Sequence, residues 1–276
     1  MSNSINTNSQ ALIALQSLNT TNSQLSATQK RVSTGYRVAD ARDDGGAFAV
    51  AQAVRSDVAG VIAVGEQLGG TKGILQTSFA ALSVVSDTMK QIRAALTRLA
   101  DGAISADQRE TYEEQYRLLA QQVSDFIDDS AYNGRTLLST DTAARGGDIT
   151  AIRNETGGTF TIKAQDGSLM KLSLTPPADA EAATASIVAG GAFATADRAI
   201  SLALNEFGAA LAFVDNQIRY NSQKVDAMET GLGALVDADL AKESSTLEAL
   251  KVRQQLGVQT LGLANQGPQV LLGLFR

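Results

Sequence analysis

The chain has no cysteine, no histidine and no tryptophan, and only three prolines among its 276 residues. Without cysteine there are no disulfides, thiolate ligands or thiol nucleophiles. Without histidine the commonest metal ligand and neutral-pH general base is missing, so a hydroxyl nucleophile has no imidazole to activate it. The prolines are Pro176, Pro177 and Pro268. They leave Met1–Thr175 and Ala178–Gly267 uninterrupted, as long helices require. Basic residues never run beyond two in a row and the formal net charge is -6, so no nucleic-acid partner is expected. No unbroken apolar run reaches about eighteen residues, the length read as a spanning helix, so no membrane insertion is expected. The opening "MSNSINTNSQ" has neither a cationic head nor a sustained apolar stretch, unlike a cleavable secretory signal.

What is present is apolar periodicity. Val54, Val61, Leu68, Leu75, Leu82, Met89 and Leu96 recur every seven residues. A companion series reads Val64, Thr71, Ser78, Val85, Ile92 and Leu99. Two such series mark one face of a helix wound against a neighbour. Gly60, Gly65, Gly69, Gly70 and Gly73 interrupt this stretch, either to admit close neighbours or to mark a local break. After a turn at "DGAISADQR", Tyr112, Leu119 and Phe126 repeat with Tyr116 and Val123 between them. A third seam carries Ile200, Phe207 and Val214 beside Leu204, Leu211 and Ile218. Three apolar seams cover one another most simply in a helical bundle.

The period changes in the middle. Phe160, Ile162 and Ala164 alternate, as do Leu169, Lys171 and Ser173, which suits strands. Asp166-Gly167 is a hairpin signal, Asn154–Gly158 offers a second turn and Pro176-Pro177 closes the run. A small β insertion at about 140–178 is expected.

Both ends are apolar. Ile5, Leu12, Leu15, Leu18, Leu25 and Val32 draw a stripe on the first helix. Near the other end, Leu240, Leu247, Leu250, Val258 and Leu261 share one side, while Val252, Leu256 and Leu263 fall on another. A helix apolar on two sides needs two sets of neighbours. The first helix of the same chain can supply one set and a second molecule the other. The final "LGLANQGPQVLLGLFR" adds Leu272 to this surface.

The chemistry of a catalytic or cofactor site is not evident. Asp43-Asp44, Asp128-Asp129 and Asp237-x-Asp239 fit no calcium loop and read as caps or ion pairs. "GEQLGGTK" departs from a phosphate loop by the Thr71 placed before Lys72. Asp43 can cap the helix entering "GGAFAVAQAV", and Arg37 and Arg42 offer forks for carboxylates. No metal, cofactor or catalytic residue is assigned.

"INTNSQALIALQSLNTTNSQL", "RVSTGYRVADARDDGGAFAVA", "AYNGRTLL" and "LVDADLAKESSTLEALKVRQQLGVQTLGLANQGPQVLLGLF" resemble, in this order, segments of the bacterial flagellins. The resemblance covers about residues 1–140 and 195–276. It implies a mainly α fold: an elongated antiparallel helical bundle with paired N- and C-terminal helices and a small β-hairpin insertion. It further implies a terminal coiled-coil assembly domain, 1–43 with 236–276, and an outer bundle domain, 44–235. The implied role is a structural, non-enzymatic subunit of the flagellar filament in swimming motility, secreted through type III export. Implied partners are other flagellin subunits, filament cap and hook-associated proteins, and an export chaperone at Leu240 to Arg276. The short insertion implies a filament without large outermost domains. Expected assembly residues are Leu12, Leu15, Leu18 and Leu25 on the first helix. Gly35, Arg37, Arg42, Asp43 and Asp44 are expected at the junction, and Leu247, Leu250, Leu261 and Leu272 on the last helix. A hook–filament junction protein shares such termini, and a helical adaptor could use the same heptads for another partner.

Overall fold

The computed structural model describes residues 8–143 and 145–274, with side chains as far as Gln266. Among these residues the chain forms α1 (Ser9–Thr34), α2 (Gly45–Leu99), α3 (Ala106–Asp128), β1 (Ile149–Ile152), β2 (Thr159–Ile162), α4 (Ala180–Ile187), α5 (Ala192–Val236) and α6 (Leu240–Leu274). The mainly α class with one small hairpin is as the sequence predicts. The backbone divides into two compact units, Met1–Ser56 with Ala227–Arg276, and Asp57–Asp226.

The Asp57–Asp226 unit is built on the heptads. Both series of α2 are buried from Val61 to Leu99, including the polar members Thr71 and Ser78. They pack with Tyr116, Leu119 and Val123 of α3 and with Phe193, Ile200, Phe207 and Val214 of α5 in one continuous core. The Lys72–Asp215 pair at 2.7 Å and the Arg93–Asp197 pair at 3.1 Å run in opposite chain directions, so α2 and α5 are antiparallel. Between α2 and α3, Ser105 and Gln108 form a reciprocal capping box. This box satisfies orphan amides where the helix restarts.

The glycines of α2 break nothing, since the helix is continuous through all five. The helix also removes the phosphate-loop geometry from "GEQLGGTK". Two of the glycines admit a neighbour. A Cβ on Gly73 would lie 2.9 Å from the Tyr132 ring, and one on Gly60 would lie 3.1 Å from the Glu155 side chain. Gly65, Gly69 and Gly70 meet nothing within 4 Å.

The insertion differs from the sequence reading in detail. β1 and β2 pair antiparallel from Ile149↔Ile162 to Ile152↔Thr159, and the turn is the Asn154–Gly158 segment. There the Asn154 Oδ1 accepts from the Gly158 amide at 2.6 Å. Asp166-Gly167 instead opens a single 3-10 turn, Gly167–Leu169, with Asp166 accepting from the Ser168 amide. The strand expected around Leu169, Lys171 and Ser173 is absent because the two-stranded sheet offers it no partner among the described residues. Met170 and Leu172 turn into the core, while Lys171 reaches Asp128 at 2.6 Å. The short α4 is an addition to the sequence reading. Its Asp179 cap accepts from the Ala182 amide at 2.7 Å.

By length and composition alone, α2 and the stretch Ala180–Val236 are apolar enough to cross a membrane. The lack of an unbroken apolar run therefore does not decide that question. Leu68, Leu75, Leu82, Phe193 and Phe207 of these helices are buried in one shared core.

Candidate functional site

In the terminal unit, α1 and α6 pair side by side, and three polar contacts fix their direction. The Asn8 Nδ2 donates to the Ala264 carbonyl at 2.7 Å, and the Gln254 Nε2 donates to the Asn22 Oδ1 at 2.7 Å. Arg31 meets Glu243 at 3.2 Å. As α1 advances its partners fall back along α6, so the pair is antiparallel. Asn8 also starts α1 by accepting from the Ala11 amide at 3.1 Å. Gly35 stops it with φ 76°, returning its amide to the Arg31 carbonyl. This left-handed C-terminal position suits glycine.

The apolar side chains divide into three groups along this pair. Leu25 and Leu250 are buried within the chain. Leu18, Leu247 and Leu261 are half-buried, with Leu18 against Gly257, where a Cβ would come within 3.2 Å of it. Leu12 (62% exposed), Leu15 and Ile13 face outward on α1, as do Val252, Leu256 and Leu263 (71%) on α6. Leu240 and Val258, grouped by sequence with the inward side, are also exposed. A groove of about 340 Å³ lined by Ile13, Ala14, Ser17, Gly257 and Thr260 runs between the helices. Leu272 lies outside the residues whose side chains are described.

The junction from Gly35 to Asp44 is held mainly by backbone. The amides of Arg37 and Val38 donate to the Val236 carbonyl at 2.7 and 3.2 Å. The Ala238 amide donates to the Gly35 carbonyl at 2.9 Å. These bonds join the end of α1 to the break between α5 and α6. Beneath them Val38, Ala51 and Val236 form a small buried cluster with Phe48, Leu232 and Leu235.

The charged residues of the junction do other work than their spacing suggests. Arg37 donates to the Leu235 carbonyl at 2.5 Å, not to a carboxylate. Asp43 does not cap α2. Its Oδ2 accepts from the Ala39 and Asp40 amides and from Lys30 at 2.7 Å, which closes the loop on α1. Asp44 is the cap, accepting from the Ala47 amide at 3.0 Å. The register is shifted by one residue because Asp43 is already engaged with the preceding turn. Arg42 pairs with its neighbour Asp40 at 3.1 Å and leaves most of its side chain in solvent. Lys30, with Arg42 second, holds the Asp40 carboxyl well below the usual carboxylate range, and Lys30 lowers Asp43 as well. Asp43, followed by Asp40, raises the Lys30 ammonium. Lys30 and the Asn22–Gln254 rung escape sequence reasoning, because single polar residues on an apolar stripe carry no spacing signal.

No three acidic residues among those described come together as a metal site. The arrangement is instead a surface: an antiparallel helix pair with apolar side chains left uncovered on both helices, tied to a backbone-bonded junction.

The family model for the bacterial flagellin N-terminal helical region matches residues 5–143, and that for the C-terminal helical region matches residues 194–275. The chain belongs to the bacterial flagellins. It is similar to Flagellin FljK of Caulobacter vibrioides, 32% identical with 99% of each chain covered. It is 34% identical to a flagellin of Brucella melitensis, again across 99% of both. The crystal structure of Bacillus cereus flagellin shares the fold, with TM-score 0.50 and 24% identity over 56% of this chain and 88% of that one. Flagellins are structural, non-enzymatic proteins, and this flagellin is a filament subunit of the extracellular bacterial flagellum that serves motility.

Proposed function

We propose that the α1/α6 pair and its junction are the part of this subunit that packs against other copies in the filament. The observation that carries the reading is the outward face of Leu12, Ile13, Leu256 and Leu263, all more than half exposed in the single chain. At about 25 cal/mol per Å² of apolar surface, covering even a few hundred Å² contributes several kcal/mol before ordering costs. Leu15, Leu18 and Leu261 extend the same surface. Leu25, Leu247 and Leu250 hold the pair together from within, and Leu272 continues the series in sequence. Gly35, Arg37, Arg42, Asp43 and Asp44, at the junction, belong to the same interface and set how subunits pack. The assembly domain is read as 1–43 with 236–276 and the outer bundle as 44–235.

The same reading includes the partners met along the way. Leu240 to Arg276, apolar on more than one side, suits an export chaperone that shields it before type III secretion. Filament cap and hook-associated proteins would meet the same ends at the growing tip and at the base. Growth of polymer from purified full-length chain, followed by electron microscopy, tests the central claim. Leu12→Asp and Leu263→Asp each place a carboxylate where apolar cover is required, and an unpaired buried charge is costly. Both variants are expected to keep the wild-type helical signal and remain unpolymerised. Filaments growing from either variant at the wild-type rate would remove the outward face from the interface.

A further inference from the structure

A separate feature lies on the connection between α3 and β1. The Tyr132 and Arg135 backbones bond to each other in both directions, at 2.8 and 3.0 Å, with Asn133 (φ 48°) and Gly134 (φ 72°) at the tip. The chain then doubles back. The Thr136 amide donates to the Arg145 carbonyl at 3.3 Å, the Gly146 amide to the Asp141 carbonyl at 2.9 Å and the Gly147 amide to the Ser139 carbonyl at 2.7 Å. The two turns border an open depression of about 410 Å³ lined by Asn133, Gly134, Arg135, Thr142, Arg145 and Gly146, with both arginines exposed to solvent.

Two guanidinium groups line this one depression, and neither has a carboxylate partner among the described residues. Each guanidinium carries five N–H donors. The one side-chain contact recorded for the pair is from Arg135 to the Asp148 carbonyl, at the long distance of 3.5 Å. The nearby acids are committed to backbone. Asp141 accepts from the Ala143 amide at 2.8 Å, and Asp148 accepts from the Ala164 amide at 2.9 Å. Glycine at 134 answers the left-handed backbone, φ 72°, and it lies beside the Arg145 guanidinium, 2.9 Å from where a Cβ would sit.

We propose that this depression binds a phosphate-type oxyanion, with Arg135 and Arg145 as the charge-bearing donors and Thr142 as a hydroxyl donor at its edge. Planar guanidinium forks match the oxygens of such an anion in a way that single ammonium charges do not. The inference is independent of filament packing: assembly and anion binding are read by different measurements, and either can fail alone.

The test is a titration of isotopically labelled full-length chain with inorganic phosphate, following the Gly134, Arg135 and Gly146 amides by NMR. A parallel arm uses methyl phosphate, and a control arm uses sodium acetate at matched ionic strength. Saturable shifts confined to these amides are expected with phosphate. Arg135→Gln and Arg145→Gln should each weaken binding by roughly fivefold or more, as loss of a charge-assisted pair implies. Arg98→Gln, on α2, should leave it unchanged. Equal or tighter binding of methyl phosphate would assign the site to phosphate carried on a larger molecule, and binding of inorganic phosphate alone would assign it to the free ion. No saturable shift, an equal response to acetate, or unchanged binding in both arginine variants with the remaining spectrum native would overturn the proposal.

Discussion

The bundle unit and the terminal unit use the same kind of sequence to different ends. In the bundle, apolar residues of α2, α3 and α5 close on each other, and Leu68, Leu75, Leu82 and Phe207 are completely covered. In the terminal unit, the helix pair buries Leu25 and Leu250 but leaves Leu12, Ile13, Leu256 and Leu263 in solvent. The difference lies in the number of partners. Each bundle helix has neighbours around its apolar face, whereas α1 and α6 have chiefly one another. A heptad therefore states that a face will be covered, and the count of available helices decides whether the cover comes from the same chain.

The comparison can be broken most sharply in the bundle core. Leu82→Ala is expected to cost about 2–5 kcal/mol of stability through lost contacts and the cavity left behind. Thermal unfolding should show that loss, while the α1/α6 amides keep their hydrogen-exchange protection if the two units fold separately. Next comes the clamp on the hairpin turn, where Gln217 and buried Asn221 both donate to the Arg153 carbonyl and Lys224 meets Glu155. Asn221→Ala is expected to cost roughly 1 kcal/mol by removing one of the two donors to that carbonyl, read as faster exchange at the Arg153 and Gly158 amides.

In the terminal unit, Gly35→Ala forces a left-handed backbone on a residue with a Cβ. It should cost about 1 kcal/mol, measured as a lower midpoint in denaturant with the bundle transition unmoved. The smallest effect is one of pH. Asp40 and Asp43 lie below their ordinary value of 3.8, chiefly through Lys30. Their contribution is present above that value and fades as the pH falls through it towards the lower folded-state values. The Ala39 and Asp40 amides, which donate to Asp43, should shift together in that acidic window. Amides of the bundle core should not follow them.

Much of this is legible in the residues. The two α2 series from Val61 to Leu99 are buried as their spacing requires, because a period of seven maps directly onto one helix face. The hairpin is visible at Asn154–Gly158, but the Asp166-Gly167 signal misleads: Asp166 serves a single helical turn as well as it serves a hairpin. Similarly, Asp43 and Asp44 are interchangeable as caps by sequence. Only the closure of Asp43 onto Lys30 settles that Asp44 serves α2. Arg37 reads as a partner for carboxylates and meets a carbonyl, since a guanidinium is satisfied by either. Contacts set by a loop's return path have no period, and a linear pattern does not contain them.

The seam between Gly35 and Ala238 is made from main-chain amides and carbonyls of Arg37, Val38, Val236 and Ala238. These hydrogen bonds do not depend on side-chain identity, so an alanine scan would read the packing of Val38 and Val236 and the left-handed turn at Gly35 rather than the bonds. Drift in the surrounding residues can proceed while the stitching stays in place. Replacement of Val38 or Ala238 by proline, or of a peptide bond by an ester, is the change to which this part of the subunit is sensitive, because only these remove the hydrogen that does the holding.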